Sequence, residues 1–211
     1  MKPKYIVFEG LNGCGKNEQA SRFERFLYDS SRNVFTSRIR TPNTLDENGK
    51  GARELLRQSN AYSDKIEAVR LFGENHKTTA RHVIELKRMG HHIISDRNYL
   101  STFAYQHAQK VPYKDIAKAV NGSAIPDITF LIDVPAEVAA ERLSKRKDGE
   151  GRRKFDKDIE FLSKVRENYL WLSQNLNLFI PDKSIRLING DQPIEAVFEE
   201  VKKAYETAFK S

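Results

Sequence analysis

The sequence predicts an α/β fold: a parallel five-stranded sheet with helices on both faces and a small basic lid. Three observations predict it. Strand-like apolar runs alternate with helical patterns along all 211 residues, the order expected of a parallel sheet covered on both sides. Two runs, Tyr5-Ile6-Val7-Phe8 and Ile128-Thr129-Phe130-Leu131-Ile132, are almost continuously apolar, as strands buried on both faces are. The first run leads through Gly10-Leu11-Asn12-Gly13-Cys14-Gly15-Lys16-Asn17 into a helical pattern at Ala20, Phe23 and Leu27, which makes strand, glycine-rich turn, helix.

That turn has the pattern G-x-x-x-x-G-K, the P-loop. Gly10 and Gly15 let the backbone curl so that N–H groups converge, the following helix adds its positive end, and Lys16 adds a full charge. Together they make a cradle for a polyphosphate. The candidates for holding that polyphosphate are Gly10, Asn12, Gly13, Cys14, Gly15, Lys16, Asn17 and Glu18. Asn17 stands where a Ser or Thr hydroxyl usually meets Mg²⁺, and an amide is the poorer ligand.

The other elements come in order. Asn33 to Arg40 is a β-branched strand ending in basic residues, and Thr41 to Gly51 reads as a loop. A short helix spans 51–58 and a longer helical region 61–89, with Ile66, Val69 and Phe72 and then Val83, Ile84 and Leu86 on apolar faces; Gly90 ends it. His92 to Ser95 is a buried strand with Asp96-Arg97 at its carboxyl end. Helices are predicted at 99–109, from Pro112 to about Val120, and from Pro135 to about Arg146. Phe161, Val165, Tyr169 and Leu172 mark another helix, Ser184 to Ile188 the last strand, and Pro193 to Lys210 a closing helix. No linker divides the chain, so one domain is expected.

Composition narrows the function. A hydrophobic fraction of 39% suffices for a core, and no apolar run approaches the ~20 residues that span a membrane. The first strand begins at Tyr5, leaving no room for a signal peptide, so a cytoplasmic chain is expected. The lone Cys14 cannot form an internal disulfide, and no Cys or His spacing suggests a metal site. The net charge of +7 suits small anionic substrates as well as nucleic acid, and no stripe of aromatic and basic residues favours the latter.

Phosphoryl transfer asks a protein mainly to align phosphates and neutralise their charge. The candidates are therefore basic groups at strand ends: Arg40 after the second strand and Arg97 after the third. Arg142, Arg146, Arg152 and Arg153 crowd a charged, glycine-containing segment read as a mobile lid at about 146–156, which could close over phosphates and exclude water. Asp96 suits magnesium, through its waters, or the orientation of Arg97.

From end to end the chain resembles the thymidylate kinase family. Phe8-Glu9-Gly10-Leu11-Asn12-Gly13-Cys14-Gly15-Lys16 is similar to that family's F-E-G-x-[DE]-G-x-G-K. Arg40-Thr41-Pro42 and Gly51-Ala52-Arg53-Glu54-Leu55-Leu56 resemble its R-E-P-G and R-E-L-L segments. Asp96-Arg97-Asn98, Ser101-Thr102 and Ala104-Tyr105-Gln106 resemble D-R-[YH]-x-x-S-[ST]-x-A-Y-Q, and Pro126 to Val134 resembles P-D-L-T-x-x-L-D-V. The resemblance implies a P-loop NTPase-type fold, transfer of the γ-phosphate of ATP to dTMP with Mg²⁺, and a homodimer. It implies that the polyphosphate is ATP, with Lys16 on its phosphates, that Arg40 and Arg97 clamp the monophosphate, and that Phe72 stacks on the base. Thr102 would face the base edge, Tyr105 the sugar, Asn12 the 3′-hydroxyl, and Arg153 the transferring group, with Gln106 among the substrate-binding residues. Asn12, Asn17, Glu18 and His76 depart from the family pattern; His76 stands where the family has an arginine.

Those departures keep two other readings open. One is a kinase for another deoxynucleotide such as dUMP; the other is a nucleotide-binding homologue with little catalysis. Nucleic-acid binding through the net charge is the third and weakest.

Overall fold

The computed structural model describes residues 2–31, 33–57, 65–145 and 158–209. Five strands form one parallel sheet: β1 (Tyr5–Glu9), β2 (Phe35–Arg40), β3 (His91–Asp96), β4 (Ile128–Asp133) and β5 (Ile185–Asn189). Their order across the sheet is β2-β3-β1-β4-β5. The two near-continuous apolar runs become β1, at the centre, and β4 beside it, and both are buried almost throughout. β2 and β5 are the edges, and their residues are mostly half-buried or exposed.

Eight helices are described: α1 (Lys16–Ser30), α2 (Glu47–Arg57), α3 (Lys65–Arg88), α4 (Tyr99–Ala108), α5 (Tyr113–Ala119), α6 (Ala136–Ser144), α7 (Ile159–Asn175) and α8 (Ile194–Phe209). The stripe of α1 that faces the sheet includes Ala20, Phe23 and Leu27, as their spacing predicts. Phe23 lies edge-on to Phe8 at 5.8 Å between ring centroids and to Tyr205 of α8 at 4.9 Å. This aromatic contact binds the first and last helices to the central strand, and burying each such ring contributes roughly 1.5–3 kcal/mol.

Strand ends shift by one or two residues from expectation, β2 beginning at Phe35 rather than Asn33, and the largest difference is at the start of α2. Residues 47–50, read as loop, are the first turn of α2. The side chain of Asp46 accepts the N–H of Gly49 at 2.7 Å, which caps the helix. Asp46 also accepts from Asn75 Nδ2 of α3 at 3.1 Å, and Asn75 Oδ1 accepts the N–H of Asn43 at 3.0 Å. Tertiary contact thus overrides two glycines that locally favour a loop. A 3₁₀ turn at Leu176–Leu178 after α7 carries no sequence signal.

Strand register positions the candidate residues. β2 and β3 align Arg40 with Asp96, and β1 and β3 align Phe8 with Asp96. Glu9, Arg40, Asp96 and Arg97 therefore meet at one carboxyl edge, where parallel sheets hold their ligands.

Candidate active site

The glycine loop joins β1 to α1 at this edge. Gly10 takes φ 134°, and a Cβ there would meet the carbonyl oxygen of Ile132 and, at 2.9 Å, the sulfur of Cys14. Only glycine fits. Gly15, at φ 97°, is the N-cap of α1. Lys16 is buried, and its ammonium donates to the carbonyl of Leu11 at 3.0 Å. Burial first, and then the charge of Arg97, lowers the Lys16 pKa, so a bound polyanion relieves both costs. Cys14 is free and buried.

Asn17 and Glu18 lie at the start of α1, where Glu18 is exposed. Glu18 turns to Arg22, whose Nε donates to its carboxylate at 2.7 Å. The acidic charge near the lysine is thus paired within the helix.

Across the loop stands a cleft of about 950 Å³, mouth included, whose lining contains Asn12, Arg40, Phe72, His76, Arg97, Thr102, Tyr105 and Gln106. Arg97 is the first residue after β3 and takes φ 75°, an uncommon conformation for a residue with a side chain. Its N–H donates to the carbonyl of Phe8 at 3.0 Å, and its own carbonyl accepts from Ser95 Oγ at 2.6 Å. The guanidinium donates from Nη1 to Ser101 Oγ at 2.6 Å and Tyr169 OH at 3.0 Å, and from Nη2 to Asn12 Oδ1 at 2.7 Å. It also lies over the ring of Tyr105, 5.3 Å from the centroid. Burial opposes its charge, but the groups around it raise its pKa well above the ordinary value.

Arg40 approaches from β2, Nε to Asp96 Oδ2 at 3.2 Å, with half its side chain exposed (52%). Burial would raise the Asp96 pKa; Lys16, Arg97 and Arg40 outweigh it and hold the carboxyl below its ordinary value. The other oxygen, Oδ1, is buried and has no hydrogen-bond partner among the described residues. A buried carboxylate oxygen without a partner among those residues, beside the glycine loop, fits Mg²⁺ or one of its waters.

The far wall comes from α3 and α4. Phe72 and His76, one turn apart on α3, line the cleft with Thr102, Tyr105 and Gln106 of α4. His76 Nε2 and Thr102 Oγ1 are 2.9 Å apart. Burial pushes the imidazole pKa down to about 3, so His76 is neutral. Gln106 Oε1 is buried without a hydrogen-bond partner among the described residues, an acceptor left for a ligand.

Arg142 is placed away from this wall: its Nη1 donates to the carbonyl of Gly190 at 3.1 Å. Arg146, Arg152 and Arg153, and the lid read at about 146–156, lie outside the described residues. Sequence reasoning gives no role to Glu9, Ser101 or Tyr169. Tyr169 reads as one apolar position of a helical stripe, and nothing in the spacing marks its hydroxyl.

The family model described as thymidylate kinase matches residues 8–201. The chain belongs to the thymidylate kinase family. It is 31% identical over 206 residues to the thymidylate kinase of Clostridium novyi, covering 95% of this chain and 97% of the relative. It is 32% identical over 213 residues to that of Thermosipho africanus, covering 98% and 100%. A probable thymidylate kinase of Methanococcus maripaludis is 32% identical over 203 residues, covering 95% and 94%. Thymidylate kinase family membership agrees with the five-stranded parallel sheet and with the glycine loop at its carboxyl edge.

Proposed function

We propose that the chain transfers the γ-phosphoryl group of ATP to dTMP, giving dTDP and ADP. The observation that carries this reading is the β1–β3–β2 register, which gathers Arg40, Asp96 and Arg97 at the edge that also bears the glycine loop. Family membership supplies the chemistry.

Lys16 and the loop N–H groups hold the phosphates of ATP. Arg40 and Arg97 hold the monophosphate in line with them, with Asn12 between the two. Phe72 stacks on the base, His76, Thr102 and Gln106 face its polar edge, and Tyr105 packs against the sugar. An oxygen of the acceptor phosphate bonds to the γ-phosphorus as the bond from that phosphorus to the β–γ bridging oxygen breaks, and ADP leaves. The attacking oxygen is already ionised, so no general base is required. Mg²⁺, when bound, supplies charge neutralisation on the phosphates. Asp96, through water, and the Asn17 amide oxygen would hold it. Arg153 is assigned to the transferring group on sequence resemblance alone.

The proposal includes a cytoplasmic setting and a homodimer. In support, no described helix is long and apolar enough to cross a membrane. Ile66 and Ile84 of α3 are large apolar side chains left exposed, and in the proposed homodimer they meet a second copy.

The test is ADP release from ATP and Mg²⁺ with dTMP, beside dUMP, dCMP, dGMP and UMP. dTMP is expected to be the best acceptor. Equal rates with dCMP or dGMP would contradict the proposal.

A further inference from the structure

Glu9 ends β1 fully buried (0% exposed), yet it does not line the cleft. Its Oε1 accepts the N–H groups of Asn98 at 2.8 Å and Ser101 at 3.2 Å. Its Oε2 accepts the hydroxyls of Ser101 at 2.7 Å and Tyr169 at 2.9 Å, and the N–H of Gly10 at 3.3 Å. These two hydroxyls are the ones that accept from Arg97 Nη1. Arg97 Nη1 itself lies 3.5 Å from Glu9 Oε2.

Ser101 Oγ and Tyr169 OH also lie 2.8 Å apart, a contact in which either can donate, so the carboxylate competes with each hydroxyl for the other's proton. An ionised carboxylate only accepts, so in the bonds at 2.7 Å and 2.9 Å the hydroxyls of Ser101 and Tyr169 give their protons to Glu9. Their lone pairs are then open to the guanidinium, which only donates. Burying a carboxylate is costly unless its neighbours compensate it, and a neutral side chain could end this strand at less cost. A glutamine here would have one acceptor oxygen and would aim an N–H₂ group into a ring of donors. One hydroxyl would lose its acceptor and turn its proton toward the other hydroxyl or toward Arg97, which changes the set of acceptors that Arg97 Nη1 meets.

We propose that Glu9 is a positioning residue for the monophosphate site: its carboxylate sets the hydroxyls of Ser101 and Tyr169 and, through them, the orientation of Arg97. With both Nη1 hydrogens and one Nη2 hydrogen committed, the Nε–H and the second Nη2 hydrogen remain as donors for an anion. This inference rests on the reading of Arg97 as the dTMP phosphate clamp.

The experiment measures KM for dTMP and for ATP separately in the wild type, Glu9→Gln, Ser101→Ala and Tyr169→Phe. Glu9→Gln is expected to raise the dTMP KM about tenfold or more, with the ATP KM changed less than about twofold. Ser101→Ala and Tyr169→Phe should each raise the dTMP KM by a smaller factor. The double variant Glu9→Gln/Tyr169→Phe should raise it by less than the product of the single effects, since both act through one relay. An unchanged dTMP KM in Glu9→Gln, or dTMP and ATP values that rise together, would overturn the inference. Should Glu9→Gln fail to fold, unchanged dTMP KM in both hydroxyl variants would overturn it equally. Wild-type turnover with dTMP reports on the functional reading alone, and the ratio of variant to wild type reports on Glu9.

Discussion

Arg97 is largely enclosed with its charge intact because a carboxylate, two hydroxyls and an amide oxygen surround it. Arg97→Ala should remove a charge-assisted contact to the acceptor phosphate worth ~1.5–3 kcal/mol, or roughly 10–150-fold in the dTMP KM; unchanged kinetics would place it outside the site. His76 makes a different prediction. The unfolded chain takes up its proton near pH 6.5 and the folded protein only near 3. The unfolded state therefore binds more protons between these values, and stability falls as pH drops through the window. His76→Gln should lose less melting temperature than wild type between pH 6.5 and about 4, and parallel loss in both would refute the assignment. The loop, Arg40, Asp96 and Arg97 are legible in the sequence because each sits in a short motif at a strand end. Glu9 is visible there only as a motif letter: its role depends on Tyr169, far away in the chain, and periodicity does not reveal which hydroxyl a buried carboxylate will find.

At the scale of elements, α3 is the wall that carries Phe72 and His76, and the intervening Gly73 sets how closely it approaches α5. A Cβ on Gly73 would meet the backbone carbonyl of Ala119, which cannot move as a side-chain tip could. Gly73→Ala gains up to ~1 kcal/mol of helix propensity, but overpacking against backbone costs ~1–3 kcal/mol. A net loss of stability is expected, together with a higher dTMP KM, since the shift moves both flanking side chains; a more stable variant with unchanged KM would contradict this packing. Strand and helix identities are legible from apolar runs and 3.6-residue spacing. The start of α2 is not, because Asp46 and Asn75 create it through contacts from another helix, against the local preference of Gly49 and Gly51.

On the scale of the whole molecule, the parallel sheet brings the two proposed anion sites to one edge: the glycine loop after β1, and the arginines after β2 and β3. The sheet order is not legible residue by residue, yet alternating elements and the glycine loop together leave few arrangements. Sedimentation should give twice the chain mass if Ile66 and Ile84 of α3 meet a second copy, and Ile66→Glu/Ile84→Glu should return it to the monomer; a wild-type monomer would exclude the dimer. The most direct test of the two anion sites compares Lys16→Ala with Arg97→Ala in one ATP-dependent dTMP kinase assay. Lys16→Ala should impair use of ATP more than binding of dTMP, and Arg97→Ala should raise the dTMP KM more than the ATP KM. The reverse pattern would show that the polarity assigned to the cleft is wrong.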